Sequence, residues 1–355
     1  MSYLLLENKE VFKGNRIGAK KDAICEVVFN TSMVGYVETF TDPSYAGQGI
    51  VMTYPLIGNY GYMSEDKESN KVWAKAVIVN ELAEIENNFR TESSLENFLS
   101  KSEIPGIKDI NTRKLTKVLR ENGTMRGMIT DDLDNLDEKL AQIKSYKIEN
   151  ATNEVGIKEI ETYGESGNKK VCLIDFGYKK NILNALINRG VQVEIIPSNM
   201  SAKEILKRKP DGIMVSNGPG NPEDCKKEIE TIKELYNSNI PMLGVSLGHQ
   251  LIGLATGAKI SKLKYGHRGS NHPVKDIAKD RVFITSQNHG YHIDENSIDK
   301  NKVEVTHYNL NDNTIEGLKY KNKKVNTVQF YQETTSEKEN TGYVFDEFIK
   351  NVKGE

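Results

Sequence analysis

Cysteine, proline and long apolar runs are scarce in this chain. Its 355 residues include 3 cysteines and 9 prolines. Cys25, Cys172 and Cys225 are widely spaced and odd in number, which favours reduced thiols over a disulfide framework or a zinc site. Residues 1–7 lack the basic start and long apolar stretch of a signal peptide, and no segment is apolar enough to span a bilayer. We therefore expect a cytoplasmic protein, with Cys25 and Cys172 buried in apolar strands.

The chain also lacks a charge excess and the common nucleotide and metal motifs. Its net charge is -2 at pH 7 and its pI is about 6.4, so electrostatics does not support binding to nucleic acid or to an anionic membrane. No GxxxxGK[ST] phosphate loop occurs, and the histidines show no HExxH spacing. The sequence therefore predicts no nucleotide site, no metal site and no cofactor in this chain.

The order of predicted elements indicates two domains, as expected for a chain of this length. Residues 1–130 show short strands and helices, which is typical of a mixed α/β domain. Residues 131–168 are dense in charge and are interpreted as a short helix followed by a linker. In residues 169–355 strands and helices alternate, and this predicts a doubly wound, mainly parallel sheet with helices on both faces.

The stretch around Ser246 organises the second domain. An apolar run that ends at Val245 predicts a buried strand, and residues 250–255 begin a helical pattern, so Gly244-Val-Ser-Leu-Gly248 lies at a strand-to-helix turn. This is the arrangement of a nucleophile elbow, where flanking glycines allow a turn too tight for a Cβ. Ser246 is therefore a candidate nucleophile, although the same pattern also arises in ordinary helix-strand packing.

Other polar segments follow strands of the same predicted sheet. The loops at residues 175–177 and 216–220 come directly after strands, where ligands bind in this fold class, and the glycines of the second loop can offer N–H donors to an oxyanion. Residues 286–291 and 325–333 are each predicted to be a strand that runs into a polar turn. His289 fits a structural role as well as a catalytic one.

The first domain contains an unusually polar segment, residues 29–45. Its Asp42-Pro-Ser44 sequence is typical of a turn, so we interpret the segment as a surface loop. Spacing alone gives no reason to assign Ser44 a role in a second domain.

Together these segments resemble the class I, or triad, glutamine amidotransferases. The motifs behind this resemblance are Gly244-Val-Ser-Leu-Gly-His-Gln250, Ser216-Asn-Gly-Pro-Gly-Asn-Pro222, Gln287-Asn-His-Gly290 and Val328-Gln-Phe-Tyr-Gln-Glu333. The first domain is similar to the small subunit of carbamoyl phosphate synthetase, through Glu26-Val-Val-Phe-Asn-Thr-Ser-Met-Val-Gly-Tyr36, Thr41-Asp-Pro-Ser-Tyr45 and Asp109-Ile-Asn-Thr-Arg-Lys-Leu-Thr116. The resemblance covers nearly the whole chain, and other amidotransferases of this class would not share that first domain.

The resemblance implies a heterodimer in which this subunit releases ammonia from L-glutamine and passes it to a large subunit. That partner would use ATP to make carbamoyl phosphate for pyrimidine and arginine synthesis, so ATP and metal are expected only there. The resemblance assigns the glutamine site to Ser44, Gly218, Gly220, Leu247, Gln250, Asn288, Gly290 and Tyr291. It assigns the triad positions to Ser246, Tyr331 and Glu333.

Two of the triad positions depart from the family pattern. The family has a cysteine where this chain has Ser246 and a histidine where it has Tyr331, whereas Glu333 matches. A cysteine is a few per cent thiolate at neutral pH, but a serine hydroxyl needs a base to take its proton. An ordinary tyrosine is protonated at pH 7 and lacks the basic nitrogen of imidazole. We therefore expect negligible glutamine hydrolysis by this subunit.

Three roles remain open for such a subunit. It can complete a synthetase that is supplied with free ammonia, or act as a non-catalytic glutamine sensor or scaffold. Alternatively, the elbow can belong to a serine hydrolase that uses a different histidine. The hydrolase alternative fits least, because that fold orders its triad as Ser, acid, His and no histidine follows Glu333.

Overall fold

Two groups of strands organise the fold, and each lies in its own unit of the chain. A computed structural model describes residues 1–164, 167–331 and 341–355. Unit 1 comprises Met1–Glu149 and Lys264–Gly269, and unit 2 comprises Asn150–Leu263 and Ser270–Glu355. In the described ranges no helix is long and apolar enough to cross a membrane.

Unit 1 is built on a closed barrel. Its elements are β1 (Ser2–Leu6), β2 (Val11–Gly18), β3 (Ala23–Asn30), α1 (Tyr36–Thr41), β4 (Gln48–Met52), β5 (Leu56–Ile57), β6 (Ala76–Ile78), β7 (Glu81–Leu82), α2 (Leu95–Lys101), β8 (Pro105–Lys108), α3 (Thr112–Asn122), β9 (Met125–Thr130) and α4 (Leu136–Ser145). The barrel order is β1-β2-β8-β6-β4-β3-β9, and β5 pairs with β7 outside it.

Alternation of side chains lets both faces of the barrel wall bury apolar residues. On β3, Cys25 and Val27 join a cluster that includes the buried face of α3, whereas Val28 joins a second cluster with α1 and α2. This explains why β3 has a nearly continuous apolar sequence. Cys25 is buried and forms no disulfide, as expected, and its burial raises the pKa of the thiol to about 12.

Unit 2 is built on a ten-stranded sheet. Its elements are α5 (Ala151–Val155), β10 (Glu161–Tyr163), β11 (Lys170–Asp175), α6 (Lys180–Ile187), β12 (Gln192–Pro197), α7 (Ala202–Lys207), β13 (Gly212–Val215), α8 (Lys226–Asn237), β14 (Met242–Val245), α9 (Leu247–Ala255), β15 (Ile260–Asp276), β16 (Arg281–Ile293), β17 (Val303–Asn309), β18 (Ile315–Tyr320), β19 (Val325–Val328) and α10 (Tyr343–Lys353). The strand order is β10-β12-β11-β13-β14-β19-β18-β17-β15-β16.

The middle of this sheet, from β12 through β11, β13 and β14 to β19, is parallel. Helices cover both faces of the sheet. Successive side chains of β11 point to opposite faces and pack against different helices. Cys172 and Ile174 pack in a cluster with α8 and α9, whereas Val171 and Leu173 pack in a cluster with α6 and α10. The predicted α/β fold class is confirmed. The sheet is parallel in its middle, whereas the pairings β10-β12, β19-β18, β18-β17 and β17-β15 are antiparallel.

The charged segment 131–168 differs from the predicted helix and linker. It contains α4, α5 and β10. Leu140 and Ile143 of α4 are buried against Leu5 and Met128 of the barrel, and β10 pairs with β12 at the edge of the sheet. A few apolar residues at helical spacing thus attach the segment to unit 1, and the division between units falls after Glu149.

Two other local expectations were wrong. Residues 286–291 do not form a turn, because they lie inside the long strand β16. Their polar side chains are satisfied within the fold, as where Gln287 Nε2 donates to Glu316 Oε1 at 3.0 Å. The surface loop expected at residues 29–45 is limited to residues 31–35, where Met33 and Val34 are exposed. The rest of the segment is largely buried, in β3, α1 and the 3-10 turn Pro43–Tyr45.

Gly248→Ala tests how closely α9 packs on β13. A Cβ at Gly248 would lie 2.1 Å from the backbone oxygen of Val215, which cannot move without disturbing the parallel pairing of β13. Alanine in place of glycine normally stabilises a helix by about 1 kcal/mol. Here we expect the free energy of unfolding in urea to fall by about 3 kcal/mol.

Gly190→Ala is the matched control for this prediction. A Cβ at Gly190 meets no atom within 4 Å, so the cost comes only from its positive φ of 76°. We expect a loss of about 1 kcal/mol there. A loss at Gly248 no larger than that at Gly190 would contradict the packing argument.

Candidate active site

Ser246 occupies a strained backbone position between β14 and α9. Its φ of 53° and ψ of -107° are unusual for a residue with a side chain, and it is buried. Ser246 N donates to Val328 O at 2.8 Å, and Ser246 O accepts from Gln250 N at 3.2 Å. These bonds hold a conformation that costs about 1–3 kcal/mol, and such strain is concentrated at functional sites.

The two flanking glycines are required by the same turn. A Cβ at Gly244 would lie 2.7 Å from Gly248 O, and a Cβ at Gly248 would collide with Val215 O. Gly248 N also donates to Ser216 O at 3.0 Å, which ties the start of α9 to the end of β13. The tight strand-to-helix turn expected from the sequence is therefore present.

The loop after β11 lies at the same edge of the sheet. Asp175 is buried, and its carboxylate accepts hydrogen bonds from Gly177 N at 2.7 Å and from Tyr178 N at 2.8 Å. Burial raises the pKa of Asp175, while these backbone donors oppose the rise. These hydrogen bonds fix the backbone of the loop after β11, whose Gly177 O contacts Asn217 after β13.

The loop after β13 is fixed by its own polar side chains. Ser216 Oγ accepts from Phe176 N at 2.9 Å and donates to Asn217 O at 2.7 Å. Asn217 Nδ2 donates to Gly177 O at 2.8 Å, so the loops after β11 and β13 are joined. Gly220 has a positive φ of 92°, which allows the chain to turn away from the site.

Gly218 and Leu247 each supply a backbone N–H donor close to the elbow. A Cβ at Gly218 would lie 2.3 Å from Phe176 O and 2.9 Å from Leu247 Cδ2, so the backbone here approaches its neighbours closely. Within residues 1–164, 167–331 and 341–355, no group accepts a hydrogen bond from the N–H of Gly218 or of Leu247. Both donors are available to a ligand oxygen, as in an oxyanion hole.

Tyr331 lies just beyond β19, the strand next to β14. Its side chain is buried, its N–H donates to Ser286 O at 2.8 Å, and its Oη donates to Asn288 O over a long 3.4 Å. Lys179 Nζ lies 4.6 Å from the centroid of its ring. Glu333, the third triad position, lies outside the described residues.

An amide network connects the elbow to β16. Gln250 Nε2 donates to Tyr291 O at 2.8 Å and to Gln329 Oε1 at 2.9 Å. In the part of the chain that the structure describes, Asn288 Nδ2 and Gln329 Nε2 are buried without an acceptor. Buried amide groups without partners are rare in proteins and indicate that a ligand or water completes them.

The structure brings most of the predicted site residues together. Leu247 and Gln250 follow Ser246 on α9, and Gly218 lies against Leu247. Tyr291 O accepts a hydrogen bond from Gln250, and Asn288 O accepts one from Tyr331. Gly290 lies between Asn288 and Tyr291 on β16. Ser44 lies in unit 1, where it is buried and its N–H donates to Asp42 Oδ1 at 2.8 Å. Gln329 was not predicted from the sequence, although it lies within the motif that contains Tyr331.

Comparisons with known proteins match both parts of the chain. The family model for the carbamoyl-phosphate synthase small chain, CPSase domain, matches residues 4–129, and the model for glutamine amidotransferase class-I matches residues 172–351. The carbamoyl phosphate synthase small chain of Fusobacterium nucleatum is 46% identical over 350 residues, covering 98% of this chain and 97% of that protein. The chain belongs to the carbamoyl phosphate synthase small chain family.

Further relatives in this small chain family show the same full-length match. The carbamoyl phosphate synthase small chain of Clostridium perfringens is 45% identical, covering 98% of this chain and 98% of that protein. The carbamoyl phosphate synthase pyrimidine-specific small chain of Bacillus subtilis is 44% identical, covering 99% of this chain and 95% of that protein. The resemblance recognised in the sequence is therefore confirmed over both parts of this small chain.

His289 and His249 of this small chain family member make hydrogen bonds within the fold. His289 Nε2 lies 2.8 Å from Gln287 Oε1 and its Nδ1 lies 2.8 Å from Tyr291 O, which favours its structural interpretation. His249, on α9, is fully buried with Nδ1 2.7 Å from Thr327 Oγ1. Burial, with a smaller contribution from His307, lowers the pKa of His249 to about 3. His249 is therefore neutral at pH 7.

Glycine and alanine at position 246 test the strain of the elbow. Glycine adopts a φ of 53° without a steric penalty, whereas alanine keeps the strain of Ser246. We expect Ser246→Gly to unfold in urea with a free energy about 1–2 kcal/mol higher than Ser246→Ala. At Ser100, an exposed position in α2, the order should be the ordinary one, with alanine about 1 kcal/mol more stable. The ordinary order at position 246 would mean that the elbow is unstrained.

Acid unfolding tests the buried neutral histidines. Because the folded pKa of His249 is about 3, below its unfolded value of 6.5, its contribution to stability is complete above pH 6.5 and is lost as the pH falls. Burial likewise lowers the pKa of His307 to about 4, against the attraction of Asp276. Each group should reduce the free energy of unfolding by about 1.4 kcal/mol per pH unit below pH 6.5. His249→Asn should remove about half of this slope, and an unchanged slope would refute the assignment to His249.

Proposed function

We propose that this protein is the small subunit of a carbamoyl phosphate synthetase, that it binds L-glutamine at the Ser246 elbow, and that it hydrolyses glutamine negligibly. In this role it works with a large subunit that uses ATP to make carbamoyl phosphate, and it supplies or gates ammonia. The family membership and the full-length relatives support the subunit role. The proposed loss of hydrolysis rests on one observation: in the described part of the chain, no base is hydrogen-bonded to the serine at the elbow.

The surroundings of the elbow support a glutamine pocket. The N–H groups of Gly218 and Leu247 are positioned to bind the carbonyl oxygen of a side-chain amide. Asn288 Nδ2, which has no acceptor among the described residues, is a further donor for a polar ligand. The proposal includes the rest of the assigned glutamine set, which is Ser44, Gly220, Gln250, Gly290 and Tyr291.

Attack on a glutamine amide requires that Ser246 Oγ lose its proton. Throughout the described ranges, no side chain makes a hydrogen bond with Ser246 Oγ. The phenol of Tyr331 points to Asn288 O, and the nearest histidine along the chain, His249, bonds to Thr327. Among the described residues, a proton leaving Ser246 therefore has no hydrogen-bonded nitrogen base to receive it. Glutamine that enters the pocket should stay intact.

A pocket that binds glutamine without cleaving it fits two uses. The subunit can complete and seal the large subunit while free ammonia is the nitrogen donor. It can also change the large subunit's activity when glutamine binds, as a sensor. ATP and its metal belong to the large subunit in both cases. The name of the Bacillus subtilis relative favours pyrimidine synthesis as the setting.

Restoring the family residues tests the proposal. In complex with the large subunit, the unmodified protein should release glutamate from glutamine at least about 10³-fold more slowly than a Ser246→Cys, Tyr331→His double variant. Each single variant should remain far below the double variant, because the members of a triad act as a unit. The measurement is the steady-state rate of glutamate formation.

A Ser246→Ala, Tyr331→His variant serves as the control, since it has the base but no nucleophile and should stay inactive. Glutamine titrated into the unmodified protein by calorimetry should still release binding heat. Rapid glutamate formation by the unmodified protein would overturn the proposal, and an inactive double variant that binds no glutamine would show that the pocket itself is lost.

A further inference from the structure

Unit 1 contains a groove of about 1120 Å³ that the amidotransferase chemistry does not use. It runs beside α3, and its floor includes Pro55 and Tyr265. Its charged lining is strongly one-sided, with several cations and a single carboxylate: Arg113, Lys114, Lys117, Arg120, Lys264 and Glu121. This local excess of positive charge occurs in a chain whose net charge is -2.

The cations of α3 lie on a helix that packs against the barrel. Leu115 and Leu119 are fully buried in the barrel cluster, and Asn111 caps the helix by accepting from Lys114 N at 2.9 Å. With this face held by the barrel, the opposite face is fixed as well. Arg113, Lys117 and Arg120 follow one another at spacings of four and three residues, so they share a stripe about 10 Å long.

The second wall of the groove is tied to the end of the same helix. Lys264 O accepts from Thr124 N at 3.1 Å, two residues after α3 ends. A Cβ at Gly123 would lie 2.8 Å from Lys264 O, so only glycine allows this approach. The Lys264 side chain is therefore held beside the basic stripe rather than on an independent loop.

Most of these cations lack a counter-charge. Lys117 Nζ lies 3.8 Å from Glu121, and both side chains are so exposed that the pair contributes little. Among the described residues, no carboxylate forms an ion pair with Arg113, Lys114, Arg120 or Lys264. Thr116 Oγ1, also on the groove, is buried and has no hydrogen-bond partner within that same part of the chain.

We propose that this groove docks an acidic segment of the large subunit. The stripe is longer than one phosphate group and its charges are separate, which matches carboxylates spaced along a polypeptide. An arginine guanidinium binds a carboxylate through two parallel hydrogen bonds. Pro55 and Tyr265, which also line the groove, offer apolar surface to the neighbouring side chains of such a segment. The inference rests on the proposed function, which supplies the large subunit as the partner.

Charge reversal at the stripe tests the inference. The purified large subunit is titrated with the unmodified small subunit and with an Arg113→Glu, Arg120→Glu variant. Facing carboxylates would then be repelled, so Kd should rise roughly 10- to 100-fold at about 0.05 M salt, and the difference should shrink at about 0.5 M salt. Arg113→Gln, Arg120→Gln should give an intermediate Kd, because it removes attraction without adding repulsion.

A Lys203→Glu, Lys207→Glu variant is the matched control, because it reverses two exposed cations on α7 of unit 2. Its Kd should equal that of the unmodified protein. Circular dichroism and thermal unfolding establish that every variant is folded before its Kd is compared.

The outcomes separate the inference from the function on which it rests. If the unmodified protein does not bind the large subunit, the proposed function fails and the inference with it. If the unmodified protein binds and the stripe variant binds equally well, only the groove assignment is overturned. Stabilisation of the unmodified protein by inorganic phosphate or ATP, lost in the stripe variant while Kd for the large subunit is unchanged, would also overturn it in favour of a small-anion site.

Discussion

The close approach of α9 to the end of β13 is the constraint on which the site depends. Gly248 N donates to Ser216 O, and the absence of a Cβ at Gly248 lets the helix start directly over the strand end. The chain can reach that position from β14 only through a positive φ at Ser246. The elbow is thus a consequence of backbone packing between parallel strands and helices, and it does not require a particular side chain at its apex.

This separation of geometry from chemistry is the basis of the proposed function. The N–H groups of Gly218 and Leu247, and the amide network of Gln250, depend on backbone and amide contacts that are independent of the apex atom. Replacing a thiol by a hydroxyl, and an imidazole by a phenol, leaves those contacts in place while removing the proton acceptor. The proposed function follows from this: recognition of an amide without its cleavage.

The sequence predicted the parts of the fold that have a strong local signal. Continuous apolar runs identified β11, β13 and β14, and the glycines around Ser246 identified the elbow, because both features follow from backbone geometry. β16 was missed as a continuous strand because its polar residues are satisfied by distant partners, such as Glu316 for Gln287. The packing of α4 on the barrel was missed because its few apolar residues contact Leu5 and Met128, which are distant in the sequence. Gln329 and His249 were likewise missed, since burial and missing partners cannot be read from the chain alone.

The proposed loss of glutamine hydrolysis depends on a serine at this elbow that no base activates. The most direct measurement is carbamoyl phosphate formation by the complex of unmodified small and large subunits, supplied in parallel with glutamine or with ammonium. We expect product from ammonium and essentially none from glutamine. Equal rates from the two nitrogen donors would contradict it.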